Sequence, residues 1–163
     1  MTGGATATNA AASAAANKAV SRRLFEAMTR GDLDAVDDLF TPDATVHDPG
    51  RELRGTGPIK AGLADLRAGF PDIVYTVEAQ IAEGDLVASR FRGEGTHSGD
   101  FRGVPASGRR FRYTGILLHR FEGGRIAEFW GQSDVLGLMQ QLGATLSLPA
   151  APPAAGPAAG ERP

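Results

Sequence analysis

The sequence holds no cysteine, which excludes a disulfide framework, a thiolate nucleophile and a Cys-rich zinc site. Histidine is scarce: His47, His97 and His119 stand far apart, without the i, i+4 spacing of a zinc-protease helix, and no metal is expected. Neither sign of charge is in excess. The net charge is −2 and the pI near 5.9, so there is no electrostatic footprint for nucleic acid or an anionic membrane. The densest basic cluster, Arg109, Arg110 and Arg112, is too short to form a stripe. No apolar run approaches the ~18 residues of a membrane-spanning helix. The first sixteen residues lack the basic segment and Leu-like core of a secretory signal, so the cytoplasm is the expected location.

What is present suits one domain. Of 163 residues, 42% are hydrophobic and 22% charged, enough for a single core. Composition shifts near Asn17 and again near Ser147. Residues 1–16, mostly Ala, Thr and Gly, and residues 146–163, mostly Pro, Ala and Gly, hold too little apolar bulk to offset ordering entropy. Both are read as disordered tails around a domain at 17–145, although Ala favours a helical extension of the N-terminal run. Asn17 reads as an N-cap, followed by Val20, Leu24 and Met28 on one helix face and by Gly31 at its end. Asp32 caps a short second helix with Leu33, Val36 and Phe40 on its apolar side, stopped by Thr41-Pro42. An extended piece, Thr45 to Asp48, precedes a loop from Pro49 to Gly57. A third helix has Pro58 in its first turn and Ile59, Leu63, Leu66 and Phe70 along one side.

From Pro71 the apolar period changes from 3.6 to 2. Ile73, Tyr75, Val77, Ala79 and Ile81 share one face of a strand. Val87, Ser89, Phe91, Gly93, Gly95 and His97 share a face of the next, with Arg90, Arg92 and Glu94 opposite. After a Gly-rich loop, Ser98 to Gly108, come Phe111, Tyr113, Gly115, Leu117, His119 and Phe121. Arg125 to Ser133 is the last strand, and Asp134 caps a short final helix. Three helices followed by a strongly bent antiparallel sheet make an α+β fold, with the helices covering the concave face of a cone. Such a cone holds a flat, oxygen-bearing ligand among apolar walls.

The stretches Gly84 to Phe111 (GDLVASRFRGEGTHSGDFRGVPASGRRF) and His119 to Gly143 (HRFEGGRIAEFWGQSDVLGLMQQLG), with VHDPG and RGDLDAVDDLFTPDATV upstream, resemble the SnoaL-like polyketide cyclase, or ester cyclase, family. That family belongs to the nuclear transport factor 2-like superfamily of α+β cones. The resemblance covers essentially Asn17 to Gly143. It implies a homodimer and, for the best-known cyclases, an intramolecular aldol closure on a polyketide ester without metal or organic cofactor. An aspartate near the end of the last strand is the acid and base there. Anchored on the turn Gly123-Gly124-Arg125-Ile126, that aspartate falls on Gly131, and the family's Gln and His fall on Gly115 and Leu117. Asp48 is the residue that could replace the family's Asn.

Candidate catalytic residues are therefore Asp134, His97 and Asp48. Asp134 is the carboxylate nearest the missing one and equally a helix N-cap. His97 is a proton shuttle or a loop-fixing histidine. His47 and Asp48 are adjacent, so in a strand only one of them enters the cone, and Asp48 before Pro49 also fits a turn. Candidate substrate-binding residues are His47, Tyr75, Phe91, Tyr113, Leu117, His119, Phe129 and Trp130, each of which reads as core packing as well. Tyr113 is an oxyanion donor or a core aromatic, with His119 at the other end of the cavity. Glu128 and Arg90 face outward, as an interface ion pair or as solvated charges. A cofactor-free enzyme acting on a polyketide-like small molecule is the leading reading. A non-catalytic binding domain and an epoxide or enol-ether hydrolase are the alternatives.

Overall fold

The computed structural model describes residues 3–48 and 50–145. In order, the elements are α1 (Gly3–Arg30), α2 (Ala35–Leu39), β1 (Phe40–Asp48), β2 (Arg51–Arg54), α3 (Thr56–Gly69), β3 (Val74–Glu83), β4 (Leu86–Thr96), β5 (Arg110–Glu122), β6 (Arg125–Ser133) and α4 (Val135–Leu142). The six strands form one sheet in the order β2-β1-β6-β5-β4-β3, curved into an α+β cone. No helix among the described residues is long and apolar enough to cross a membrane.

Three expectations need correction. The first helix begins at Gly3, not at Asn17. Alanine is the strongest helix former, and nothing in the Ala-rich run breaks the ladder. Asn17 is consequently no cap; it is buried on the inner side of α1 with Ser21, Leu24 and Phe25. The sheet is mixed rather than antiparallel, because β1 pairs parallel to β6. Phe40 opens β1 instead of closing a helix, and the expected loop after Pro49 contains β2, antiparallel to β1.

The third correction is one of face. A bulge between Val77 and Ala79 adds one residue to β3, which reverses the parity of everything beyond it. Ala79 and Ile81 turn outward, leaving Ile81 73% exposed, while Gln80 and Ala82 turn inward. In β4 and β5 the alternation holds without interruption, and Val87, Ser89, Phe91, Phe111, Tyr113, Leu117, His119 and Phe121 are all buried.

Two apolar clusters fill the cone. One joins Leu24, Val36, Leu39, Phe40 and Val46 to Val87, Phe121 and Ile126. The other joins Phe25, Phe70, Ile73, Tyr75, Phe91 and Tyr113 to Leu117 and Leu138. Each fully buried side chain of this size contributes about 1.5–3 kcal/mol. Phe129 and Met28 pack against both clusters. The long helix α1 is tied down at its C-terminal end by Arg67 of α3, whose guanidinium donates to the carbonyls of Met28 and Thr29 at 3.5 and 2.9 Å; a cation there also complements the helix dipole.

Candidate functional site

Strand register turns the inner face into a grid. Reading across β1, β6, β5, β4 and β3, one row is Asp48, Gly131, Leu117, Ser89 and Gln80; the next is Val46, Phe129, His119, Val87 and Ala82. A third row, toward α4, runs Ser133, Gly115, Phe91 and Val77. Neighbouring members of a row stand about 4.8 Å apart.

Asp48 owes its place to the parallel pairing. Val46 faces Phe129, so Asp48, two residues on, falls beside Gly131 on the same side. A Cβ built on Gly131 would lie 3.4 Å from Asp48 Oδ1, 3.2 Å from Phe129 Cε1 and 3.5 Å from Leu117 Cδ2. The carboxylate thus occupies the ground above a residue that has no side chain. Its other oxygen, Oδ2, accepts from Arg51 on β2 at 3.2 Å.

His119 is fully buried. Its Nδ1 lies 3.0 Å from Ser21 Oγ, and Ser21 Oγ lies 3.0 Å from Ser89 Oγ. Gln80 Nε2 donates to Ser89 Oγ at 2.9 Å and to the carbonyl of Lys18 at 3.4 Å. The His119 ring stacks at a tilt on Phe129, centroids 5.1 Å apart. Desolvation lowers its pKa to about 4, so the imidazole is neutral near pH 7. Sequence pattern alone does not single out Ser21, Ser89 and Gln80. Ser89 shares the inward face of β4, but Ser21 is a polar residue in a helix whose signal is its apolar positions, and the bulge after Val77 conceals the inward turn of Gln80.

Tyr75 and Tyr113 meet hydroxyl to hydroxyl at 3.0 Å, and burial raises both phenolic pKa values. Phe91 stands edge-on to each ring. The pair exists because residue 93 is glycine; a Cβ there would come within 2.5 Å of Tyr113 Cε1.

Other candidates lie elsewhere. Asp134 is exposed and accepts from the Gly137 N–H at 2.9 Å as the N-cap of α4. His97, at the far end of β4, is buried; the Ser107 N–H donates to its Nδ1 at 3.3 Å, Ser107 Oγ is 3.0 Å away, and backbone bonds to Gly108 and Arg109 secure the loop. His47 and Trp130 are not on the concave face. They pair across β1 and β6 on the outer surface, rings stacked at 5.2 Å and 11°, with Glu52 at 3.4 Å and Glu128 at 3.6 Å from the imidazole. Arg90 and Glu128 also face outward, but both are partnered within the chain, Arg90 by Glu78 and Glu128 by Arg120 at 2.7 Å.

The structure therefore brings together Asp48, Leu117, His119 and Phe129 on one patch, with Phe91, Tyr75 and Tyr113 alongside. The inner face is closed over by its own side chains rather than open as a pocket: Leu117 is 4% exposed, Phe91 3% and Tyr113 8%. Concave spaces lie outside it. A groove of about 310 Å³ is lined by charged residues of α1 and the α2 region, including Arg23, Glu26, Arg30 and Asp38, and a crevice of about 10 Å³ separates α1 from α3.

Residues 18–142 match the family described as SnoaL-like polyketide cyclase. The aklanonic acid methyl ester cyclase DnrD of Streptomyces peucetius is 34% identical over 128 residues, which span 75% of this chain and 87% of that protein. Among solved structures, IdmH of Streptomyces antibioticus superposes with a TM-score of 0.70 at 36% identity, over 78% of this chain and 99% of that one. TsrD of Streptomyces laurentii superposes with a TM-score of 0.74 at 30% identity, over 80% and 97%. On sequence and fold together, the chain belongs to the SnoaL-like polyketide cyclase family.

Proposed function

We propose that the chain closes a ring on a polyketide-derived ester by an intramolecular aldol reaction, with Asp48 as its acid–base carboxylate. One observation carries this reading: Asp48 Oδ1 stands 3.4 Å from the Cβ position of Gly131, the position to which the family's aspartate maps. A proton-exchanging group is thus retained on the inner face, supplied from β1 instead of β6. The methyl ester cyclase activity in the name of DnrD supports the substrate class.

In the proposed reaction, the Asp48 carboxylate takes a proton from a carbon flanked by carbonyl groups. The resulting enolate carbon attacks a second carbonyl in the same molecule, forming one C–C bond and an alkoxide. Asp48, now protonated, returns the proton to that alkoxide. Substrate and product are isomers, and no electrons are exchanged with an external partner. The half-buried Phe129 ring borders the patch, its Cε1 3.2 Å from the Cβ position of Gly131. Asp134 caps α4 and His97 holds its loop; neither takes part in the proton transfers.

Incubation with aklanonic acid methyl ester tests this. A product of unchanged mass with one more ring is expected, and Asp48→Asn should cut kcat by about 10²- to 10⁴-fold, the usual contribution of general acid–base catalysis. No turnover above blank, or full turnover by the Asp48→Asn variant, overturns it. The outer sheet face supports a homodimer in the same reading, since Val74, Ile81 and Ile116 are half or more exposed there. Light scattering at working concentration should give twice the chain mass.

A further inference from the structure

The polar chain beneath the cone has a direction. Gln80 Nε2 faces two acceptors, the Lys18 carbonyl and Ser89 Oγ, which favours this amide orientation even though its Oε1 is buried without a partner among the described residues; turned over, the carbonyl oxygen would confront another carbonyl. Ser89 therefore accepts from Gln80 and has its own proton to give. Its other partner is Ser21 Oγ. Ser21, having accepted from Ser89, gives its proton to His119 Nδ1. Run in the opposite sense, the chain would leave the Ser89 proton without an acceptor among the described residues. The imidazole is thereby held with Nδ1 as acceptor and the hydrogen on Nε2.

That Nε2 is fully buried and has no hydrogen-bond partner among the described residues. An unmet buried donor costs about 1–3 kcal/mol, and such groups in native proteins call for a reason. The ring lies against Phe129, the side chain that also covers Gly131 beside Asp48. Phe129 thus touches both the Gly131 position beside Asp48 and the face of the His119 ring.

We propose that His119, locked by Gln80, Ser89 and Ser21 into its Nε2–H tautomer, donates a hydrogen bond to a carbonyl or enolate oxygen of a ligand in the cone. This rests on the cyclase reading in that it gives the reaction an electrophile: a neutral imidazole donor stabilises the enolate that Asp48 generates. It fits ligands with a ketone or quinone oxygen inward, and disfavours hydrocarbons that would leave the donor unmet.

Long-range ¹H–¹⁵N spectra of the full chain labelled in histidine test it, with His119 assigned by His119→Phe and 1,8-dihydroxyanthraquinone as the probe. Expected are an unprotonated Nδ1 and a protonated Nε2 in the free protein, and a downfield shift of the Nε2 proton on probe binding. In Gln80→Glu, position 80 becomes an acceptor, the hydroxyls reverse, and the proton should move to Nδ1. A free protein with the proton on Nδ1, a probe that binds without moving the Nε2 proton, or no binding overturns the proposal. Because these readouts need no turnover, they stand apart from the cyclase assay. Turnover with a silent Nε2 sinks this inference alone, and a responsive Nε2 without turnover sinks the cyclase reading alone.

Discussion

Asp48 and Gly131 claim the same spot on the inner face, one from β1 with a carboxylate and the other from β6 with nothing. If the location of the carboxylate matters and its strand does not, the charge can be moved. The double variant Asp48→Asn/Gly131→Asp should recover at least about tenfold of the activity lost in Asp48→Asn alone, within the range available to a general base. Gly131→Asp by itself sets two carboxylates together, which disfavours ionising both, and should lower Tm at neutral pH. Steady-state kinetics and thermal melts of the three variants check this.

Acid should weaken the fold through His119. Its folded pKa of about 4 lies below the ordinary 6.5 because burial penalises the cation, and no charged group among the described residues bonds to the ring. Between those values the unfolded chain binds the extra proton, so stability is full above pH 6.5, falls as pH drops from 6.5 to 4, and loses no more below that. The loss is about 3 kcal/mol at most. Asp72, whose pKa is lowered by bonds from Thr96, acts only at still lower pH. Urea titrations at pH 7 and pH 5 should show the difference, and His119→Phe should remove most of it.

The Tyr75–Tyr113 contact is a mutual dependence. Tyr113→Phe strands the Tyr75 hydroxyl in an apolar setting and should cost about 1–3 kcal/mol. Replacing both by Phe removes the unmet group and should cost less than the two single changes summed. A double-mutant cycle by denaturant unfolding measures the coupling.

Asp134→Ala should lose about 1 kcal/mol through the missing α4 cap while leaving kcat on the ring-closure substrate unchanged. A fall in kcat comparable to that of Asp48→Asn would return Asp134 to the reacting centre.

Much of this was legible from period and parity. Alternation along β4 and β5 correctly put Phe91, Tyr113, Leu117 and His119 inside, since the strand period is fixed at two and no bulge interrupts β4 against β5 before the ladder ends. The loss of parity in β3 came from one extra residue after Val77, which composition does not announce. The adjacency of His47 and Asp48 left one of them outside, but which one depended on the partner of β1. A parallel pairing to the last strand is a long-range choice with no local signature. The start of α1 was missed for a different reason: hydrophobic periodicity marks where a helix packs, not where it begins.

That same parallel pairing has a consequence for biogenesis. Phe40 to Asp48 find their β6 partners only after Arg125 to Ser133 exist, so the chain must close a long loop late, and such closures slow folding. Until the ribosome has released β6, the strand carrying Asp48 presents a bare edge to other chains. Yield from expression should therefore fall steeply for chains ending before Arg125, and much less for those ending after α4.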